Sequence, residues 1–299
     1  MTPQPVSPAI PKRGADPAAR GRFRRAAAAH PIALLLAVAI PFVWLTQVGS
    51  AIAGLDLMPA KLAELVVLVG LAAGITWVTD RGRGVRQLFA GLLRWRLGAR
   101  YLLLIAAMPV LTAGVALTTG TLHDPTDGWV GVGFTYLFFL VVGAITANLW
   151  EETVWGGFVQ SRLMARHGLL TGSLLTAIPV FLIHLPLAFE SNGWAGTTWS
   201  GALLTWAVLL VAAPFQRYLI GTLLIDTRGS TLAAGLMHAS INAAGAMLIM
   251  TGGWQSVPAL ILLTLGVAAY RSRRVRSTDD GYVAQIVPAA EAAGRPTTS

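Results

Sequence analysis

Long apolar runs recur along the chain, and they constrain its fold more than any other feature of the sequence. The first run, PIALLLAVAIPFVWLTQVG, begins at Pro31 and can cross a hydrocarbon core of roughly 30 Å. It lacks a convincing small-residue cleavage site, so we interpret it as a membrane anchor. The other runs lie at about 59–79, 101–119, 130–162, 169–189, 200–225, 230–250 and 254–270. Because a backbone in lipid must satisfy its own hydrogen bonds, we expect an all-α polytopic membrane bundle of about eight transmembrane helices.

The composition agrees with a membrane protein and excludes several other classes. Of the 299 residues, 55% are apolar and 12% are charged, and a mean hydropathy of +0.65 is too high for a soluble domain of this length. The formal charge of +9 does not indicate nucleic acid, because the basic residues cluster between apolar runs, as the positive-inside rule predicts. The absence of cysteine excludes a disulfide framework, a thiol nucleophile and a thiolate zinc site.

Three segments follow from the distribution of apolar and basic residues. Residues 1–30 are rich in Pro, Ala and Arg and predict a disordered basic tail. Residues 31–271 form the predicted transmembrane bundle, and its motif-bearing core lies at 130–250. Residues 272–299 predict a second disordered tail.

Basic clusters occupy alternate connections between the apolar runs, which predicts that both termini are cytoplasmic. Arginines crowd the connection after the second run and follow the last run, whereas TLHDPTDG, after the third run, contains no Lys or Arg. The basic stretch VRQLFAGLLRWRLGAR interleaves arginine with Leu, Phe and Trp. This stretch predicts either an interfacial amphipathic helix or a solvated basic loop.

Four ionisable side chains lie deep within the apolar runs: Glu151, Glu152, His184 and His238. The two glutamates are adjacent in NLWEETVWGG, and a carboxylate at the centre of a bilayer costs roughly 2.5–3.5 kcal/mol on insertion scales. The pair therefore needs either access to water or a function. A lone membrane histidine usually only packs, but two histidines and two glutamates in separate runs favour one shared site.

Depth along the helices supports a shared site. A turn is expected at His167-Gly168; Glu151 lies 17 residues before Gly168, and His184 lies 16 residues after it. In an antiparallel hairpin, these equal arms place the two side chains at the same height. His238 lies nine residues after the turn at Gly229, at a similar depth. Asn242 follows His238 by four residues, on the same helix face.

A second interpretation remains open for the glutamate pair. The apolar stretch GWVGVGFTYLFFLVVGAITANLW has the length of a complete span, and this would leave both glutamates at the cytoplasmic boundary. The residues after Glu152, TVWGGFV, are also apolar, which favours a helix that continues past the pair. A long, tilted or Gly143-kinked helix would satisfy both observations.

The motifs EETVWGGF, VFLIHLP and HASIN occur in this order on successive apolar runs. Together they resemble the CPBP family of intramembrane endopeptidases, also called the CAAX-protease and bacteriocin-processing or Abi family, whose motifs are EExxxR, FxxxH and HxxxN. The resemblance covers roughly residues 130–250 and also agrees with about eight spans. It implies a membrane-embedded protease in a bacterial cytoplasmic membrane.

Two positions depart from the family motifs. Gly156 stands where the family has arginine, and Val180 stands where it has phenylalanine, with Phe181 one position late. If the family arginine chiefly keeps the second glutamate ionised, Arg162 or Arg217 is a candidate replacement.

The resemblance implies a role for each matching residue. Glu151 and His184 would activate a water molecule, because a carboxylate paired with an imidazole is a competent general base. His238 and Asn242 would stabilise the tetrahedral oxyanion. Glu152, about 100° from Glu151 around the helix, would support the site.

Metal dependence is left open by the sequence. Glu151, His184 and His238 are sufficient ligands for a catalytic zinc ion with an open water position. The family is described both as a metalloprotease and as a metal-independent glutamate protease. We favour hydrolysis without a metal, because Asn242 shares the face of His238 and amides are poor zinc ligands.

Two rival functions are a catalytically inactive protease-like scaffold and a proton-coupled transporter. The scaffold hypothesis rests on Gly156. A transporter predicts an internal repeat with ionisable residues in corresponding positions, and the sequence contains no such repeat. The expected partners are a membrane-associated peptide or protein substrate and the lipid bilayer; the identity of the substrate does not follow from these residues.

Overall fold

The computed structural model describes residues 17–125, 128–250 and 252–274, and within these ranges the chain is helical. An isolated bridge between Leu122 and Met250 is the single β-type pairing in the described part. The α-helices are α1 (Pro17–Ala29), α2 (Pro31–Ile52), α3 (Met58–Ala90), α4 (Ala99–Thr118), α5 (Gly128–Gly143), α6 (Leu149–Glu152), α7 (Ser161–Ile183), α8 (Gly193–Gly196), α9 (Trp199–Asp226), α10 (Thr231–Gly245) and α11 (Ser256–Arg274). The predicted all-α class is confirmed.

Five helical segments in the described part are long and apolar enough to cross a membrane. They are Pro31–Ile52, Met58–Leu93, Ala99–Thr118, Gly128–Phe189 and Trp199–Asp226. The protein is therefore a helical membrane protein. The number of eight spans and the cytoplasmic location of both termini remain predictions.

The outer surface of the bundle is apolar, as lipid contact requires. Helix α5 buries no residue, and Val130 and Phe134 on it are 88% and 72% exposed. By contrast, Trp155 and Phe158, which follow the glutamate pair, are fully enclosed in a core cluster with α2, α3 and α7. The glutamate-bearing segment therefore lies inside the bundle and α5 lies at its edge.

The predicted disorder of the two tails is corrected where the structure describes them. Residues 17–29 form α1, which packs against α2 and α3, because their Ala- and Arg-rich sequence has a high intrinsic helix propensity. Helix α11 runs to Arg274, past the predicted boundary at 272. The remainder of both tails, residues 1–16 and 275–299, lies outside the described residues.

The basic stretch after the second run is helical over only part of its length. Helix α3 breaks at Arg81, where φ is 61°, and ends at Ala90; a 3₁₀ turn then covers Gly91–Leu93. A Cβ atom on Gly91 would lie 2.7 Å from the Gly229 carbonyl oxygen, so the stretch is pressed against the connection between α9 and α10. Arg94 strengthens this contact by donating a hydrogen bond to the Arg228 carbonyl.

The predicted turn at His167-Gly168 is confirmed. Gly168 has φ 77° and ψ 174°, and the chain reverses there within α7. A Cβ atom on Gly172 would lie 2.6 Å from Met164 Cα, so the chain folds back into contact with itself across the turn. A residue with a side chain is strained at the Gly168 backbone angles.

We expect Gly168→Ala to destabilise the protein by about 1–3 kcal/mol, because the glycine-only conformation would have to be kept by alanine. Thermal unfolding in detergent measures the change. Gly133→Ala in α5 is the matched control, since its Cβ atom would have no neighbour within 4 Å. An equal loss in both variants would contradict the strained turn.

Candidate active site

The helix that carries NLWEETVWGG is irregular on both sides of the two glutamates. A π-helical segment covers Ala144–Asn148 immediately after Gly143, α6 covers Leu149–Glu152, and a second π-helical segment covers Thr153–Gln160. The helix continues past the glutamates, as expected for the interpretation in which it extends beyond the pair. Wider π-helical turns inside α-helices are frequent at functional sites.

Glu152 is completely buried, and both of its carboxylate oxygens have partners. Arg217 on α9 donates from Nη1 to Oε2 at 3.1 Å and from Nη2 to Oε1 at 2.5 Å. The His238 Nδ1 atom on α10 lies 2.9 Å from Oε1. Arg217 is itself 1% exposed, so this is an ion pair that is fully removed from solvent. The carboxylate of Glu152 thus connects three helices.

Glu151 has a different environment from its neighbour. Its side chain is 24% exposed, and Asn148 Nδ2 donates a hydrogen bond of 3.2 Å to Oε2. The same oxygen lies 3.6 Å from His238 Nδ1. Adjacent helical residues point about 100° apart, so Glu152 faces the interior of the bundle and Glu151 faces an accessible space.

A close approach of two helices brings His238 to the glutamates. A Cβ atom on Gly235 would lie 2.7 Å from Leu149 Cδ2 and 2.9 Å from Leu149 Cα. Glycine at this position therefore allows the backbone of α10 to lie against α6. Gly235 precedes His238 by one helical turn, so the same contact sets the position of the imidazole.

His184 ends α7 and is partly buried. Its Nδ1 atom lies 2.7 Å from the Val180 carbonyl oxygen, and because a carbonyl only accepts, Nδ1 is the donor. In the neutral ring this leaves Nε2 as the acceptor. The imidazole lies close enough to Glu151 and His238 to interact electrostatically with both, which agrees with the predicted equal depth.

The structure brings the predicted site residues together unequally. Glu151, Glu152 and His238 are in contact, and His184 lies within electrostatic reach of this group. Asn242 is exposed and lies one helical turn beyond His238 on α10. The geometry therefore joins three of the five side chains in direct contact, with His184 within electrostatic reach of them and Asn242 one helical turn beyond His238.

Two polar residues near the site were missed by the sequence analysis. Asn148 holds Glu151, and Gln160 donates from Nε2 to the Arg217 carbonyl oxygen at 2.6 Å. In the sequence, each is recognisable as an amide side chain within an apolar segment. Asn148 lies one turn before the glutamate pair and Gln160 lies two turns after it.

The two candidate replacements for the family arginine have separate positions. Arg217 binds Glu152, as described above. Arg162 donates to the Phe158 carbonyl oxygen, and its guanidinium lies 4.0 Å from the centre of the Phe158 ring.

Ser240 is a packing residue. It is buried and donates a hydrogen bond of 2.8 Å to the Ile105 carbonyl oxygen. Its oxygen also lies 2.8 Å from the Tyr136 hydroxyl. These contacts join α10 to α4 and α5.

The possible metal ligands Glu151, His184 and His238 are not grouped as a metal site requires. Among the residues that the structure describes, no three His, Asp or Glu side chains are grouped so that they could hold one. The potential set of Glu151, His184 and His238 therefore does not form a ligand cage. The nearest further carboxylate, Glu152, has both oxygens bound by Arg217.

Residues 133–244 match the family model described as "Type II CAAX prenyl endopeptidase Rce1-like". The match covers 112 of the 299 residues and contains every predicted site residue as well as Arg217. It confirms the resemblance to the CPBP and CAAX protease family. No curated protein and no solved structure matches the chain.

We expect Gly235→Ala to separate α10 from α6 and to lower stability by about 1–3 kcal/mol, because the added methyl group overpacks a backbone contact. Thermal unfolding in detergent measures this loss. Gly114→Ala in α4 is the control, since its Cβ atom would meet no atom within 4 Å. Unchanged stability of Gly235→Ala would show that the close approach is not required.

Proposed function

We propose that the protein is an intramembrane endopeptidase that hydrolyses peptide bonds of membrane-associated proteins or peptides, and the match of residues 133–244 to the Rce1-like family model supports this proposal. One observation carries this proposal. The histidine of HASIN contacts both glutamates of EETVWGGF within the bundle. Hydrolytic chemistry needs a base and an electrostatic stabiliser at one place, and this contact supplies both types of group.

Glu151 is the proposed general base. Its carboxylate is partly exposed and oriented by Asn148, so a water molecule has access to it. The carboxylate accepts a proton as the water oxygen attacks the scissile carbonyl carbon. It later returns that proton to the leaving amine when the C–N bond breaks, so the carboxylate is regenerated.

His184 is proposed to orient the same water molecule. Its Nδ1 atom is fixed by the Val180 carbonyl oxygen, which fixes the ring orientation and presents Nε2 as an acceptor. Two acceptors, Glu151 and His184, would then align the lone pair of the water oxygen with the carbonyl carbon.

His238 and Asn242 are the proposed donors to the oxyanion. The carboxylates of Glu151 and Glu152 lie beside His238 Nδ1 and fix the orientation of the ring, so Nε2 is the nitrogen proposed to face the oxyanion. Asn242 lies one turn away on the same helix and adds an amide donor. Such donors stabilise the negative charge that develops on the carbonyl oxygen.

The substrate class follows from the membrane location and the family. A protease of this family acts on a peptide or protein substrate in a membrane. The family description names CAAX prenyl endopeptidases, so prenylated C-terminal peptides are the first substrates to test. The scaffold and transporter hypotheses are not favoured by the family match.

We expect Glu151→Gln, His184→Ala and His238→Ala each to lower the cleavage rate by at least about 100-fold, because each removes a group that transfers or stabilises charge in the transition state. The assay uses purified protein in liposomes and a panel of prenylated and unprenylated membrane peptides. Proton flux through the same liposomes is measured in parallel.

Two matched variants serve as controls for this series. Glu190→Gln removes an exposed glutamate that pairs with Lys61, and His167→Ala removes an exposed histidine at the turn. Both should retain wild-type cleavage. Equal cleavage by the wild type and all variants would refute the proposed enzymatic function. Proton flux that is lost in the site variants, in the absence of any cleavage, would favour a transporter.

We expect cleavage to survive exhaustive chelation, since the described side chains do not form a metal cage. Elemental analysis of the chelated protein verifies that zinc is absent. Loss of activity on chelation with recovery on adding stoichiometric zinc would establish a metal-dependent mechanism instead.

A further inference from the structure

We propose that Arg217 takes the place of the arginine that the motif EExxxR would put at position 156, and that it is a positioning residue for the catalytic group. This inference rests on the proposed function and adds to it the residue that orients Glu152. The motif places its arginine on the same helix as the glutamates, whereas Arg217 lies on a different helix, α9. Gly156 is then a compensated change and does not indicate an inactive protein.

Position 156 and Arg217 approach the same carboxylate. A Cβ atom on Gly156 would lie 3.0 Å from Glu152 Oε2, and Arg217 Nη1 donates to this oxygen. Side chains on a helix lean toward its N-terminus, so a residue at 156 faces the side chain four residues earlier. An arginine at either place would therefore bind Glu152, and a single guanidinium is enough to compensate its charge.

The segment around Arg217 is adapted to this contact. Gln160, one turn after Gly156, holds the Arg217 carbonyl oxygen at 2.6 Å. Gly221, one turn after Arg217, makes room for Gln160, because a Cβ atom there would lie 2.6 Å from Gln160 Nε2 and 2.9 Å from Ser173 Oγ. These contacts fix the backbone of α9 beside the glutamate helix at the level of Glu152.

Arg217 reaches the reacting groups through Glu152. The Oε1 atom of Glu152 is bound by Arg217 at 2.5 Å and by His238 at 2.9 Å. The guanidinium thus fixes the carboxylate, and the carboxylate fixes the imidazole that lies 3.6 Å from Glu151. Loss of the guanidinium would leave a buried carboxylate without its main partner and would release His238 from its position.

The test compares Arg217→Gln with the double variant Gly156→Arg/Arg217→Gln, which returns arginine to the motif position. Cleavage is measured as kcat and KM per folded protein, and folding is measured by the thermal midpoint Tm in detergent.

We expect Arg217→Gln to lower kcat by about 100-fold with a smaller change in KM, because misplacement of a reacting group has this effect. Its Tm should fall by roughly 10 °C. The kcat of the double variant should be at least about tenfold higher than that of Arg217→Gln, since the guanidinium again meets Glu152. Its Tm should also lie above that of Arg217→Gln.

Arg271→Gln is the matched control. Arg271 forms another ion pair that ends on α9, with Asp226 at 2.5 Å, and its side chain is 8% exposed. The Arg271→Gln variant should have a lower Tm than the wild type and an unchanged kcat per folded protein. This separates the general loss of a buried arginine from the specific loss of Glu152 orientation.

Two results would overturn the inference. One is wild-type kcat in Arg217→Gln; the other is a folded double variant that recovers neither kcat nor Tm. If the wild-type protein cleaves no peptide of the panel, the proposed function fails, and the Tm values then decide the pairing alone. Recovery of Tm in the double variant supports exchange of the arginine between the two helices, and absence of recovery refutes it.

Discussion

The buried carboxylate of Glu152 is the constraint on which the rest of the site depends. A charge without a partner is very costly in a low-dielectric interior, so Glu152 is tolerated only with its compensating groups in place. Those groups come from two other helices, Arg217 on α9 and His238 on α10. Satisfying one carboxylate therefore fixes α6, α9 and α10 relative to each other. The position of the proposed catalytic groups follows from this electrostatic requirement.

Glycines allow these polar contacts to reach hydrogen-bonding distance. Gly235 lets α10 lie against α6, Gly156 leaves the carboxylate of Glu152 free for an arginine from α9, and Gly221 leaves space for Gln160. Membrane helices lack a strong hydrophobic force between them, so close packing at small residues has particular weight in their association. Each glycine here lies one helical turn from a polar residue of the site or of its support, which links packing directly to chemistry.

The two adjacent glutamates lie in different environments because a helix turns by about 100° per residue. Glu152 points inward and is fully paired, whereas Glu151 is 24% exposed, accepts a hydrogen bond from the Asn148 amide and lies 3.6 Å from His238. A paired and buried carboxylate suits a supporting role, and a partly open carboxylate suits proton transfer to and from water. The flanking π-helical segments change the local pitch around the pair, and His184 on α7 completes the arrangement from the far arm of the hairpin.

The sequence by itself determined the helical class of the protein and the candidate residues of the site. Apolar runs gave the all-α membrane class, the glycine at 168 gave the turn, and the motif spacings selected Glu151, Glu152, His184, His238 and Asn242, because helix period and rise are local properties of the chain. The tertiary structure decided what those residues touch. Arg217 and Glu152 are 65 residues apart, and Arg162 and Arg217 were equal candidates until helix packing placed one of them against the carboxylate. The contact at Gly235 also lay beyond the sequence, since it depends on which helix faces which, and that is fixed only when the complete bundle satisfies its buried charges.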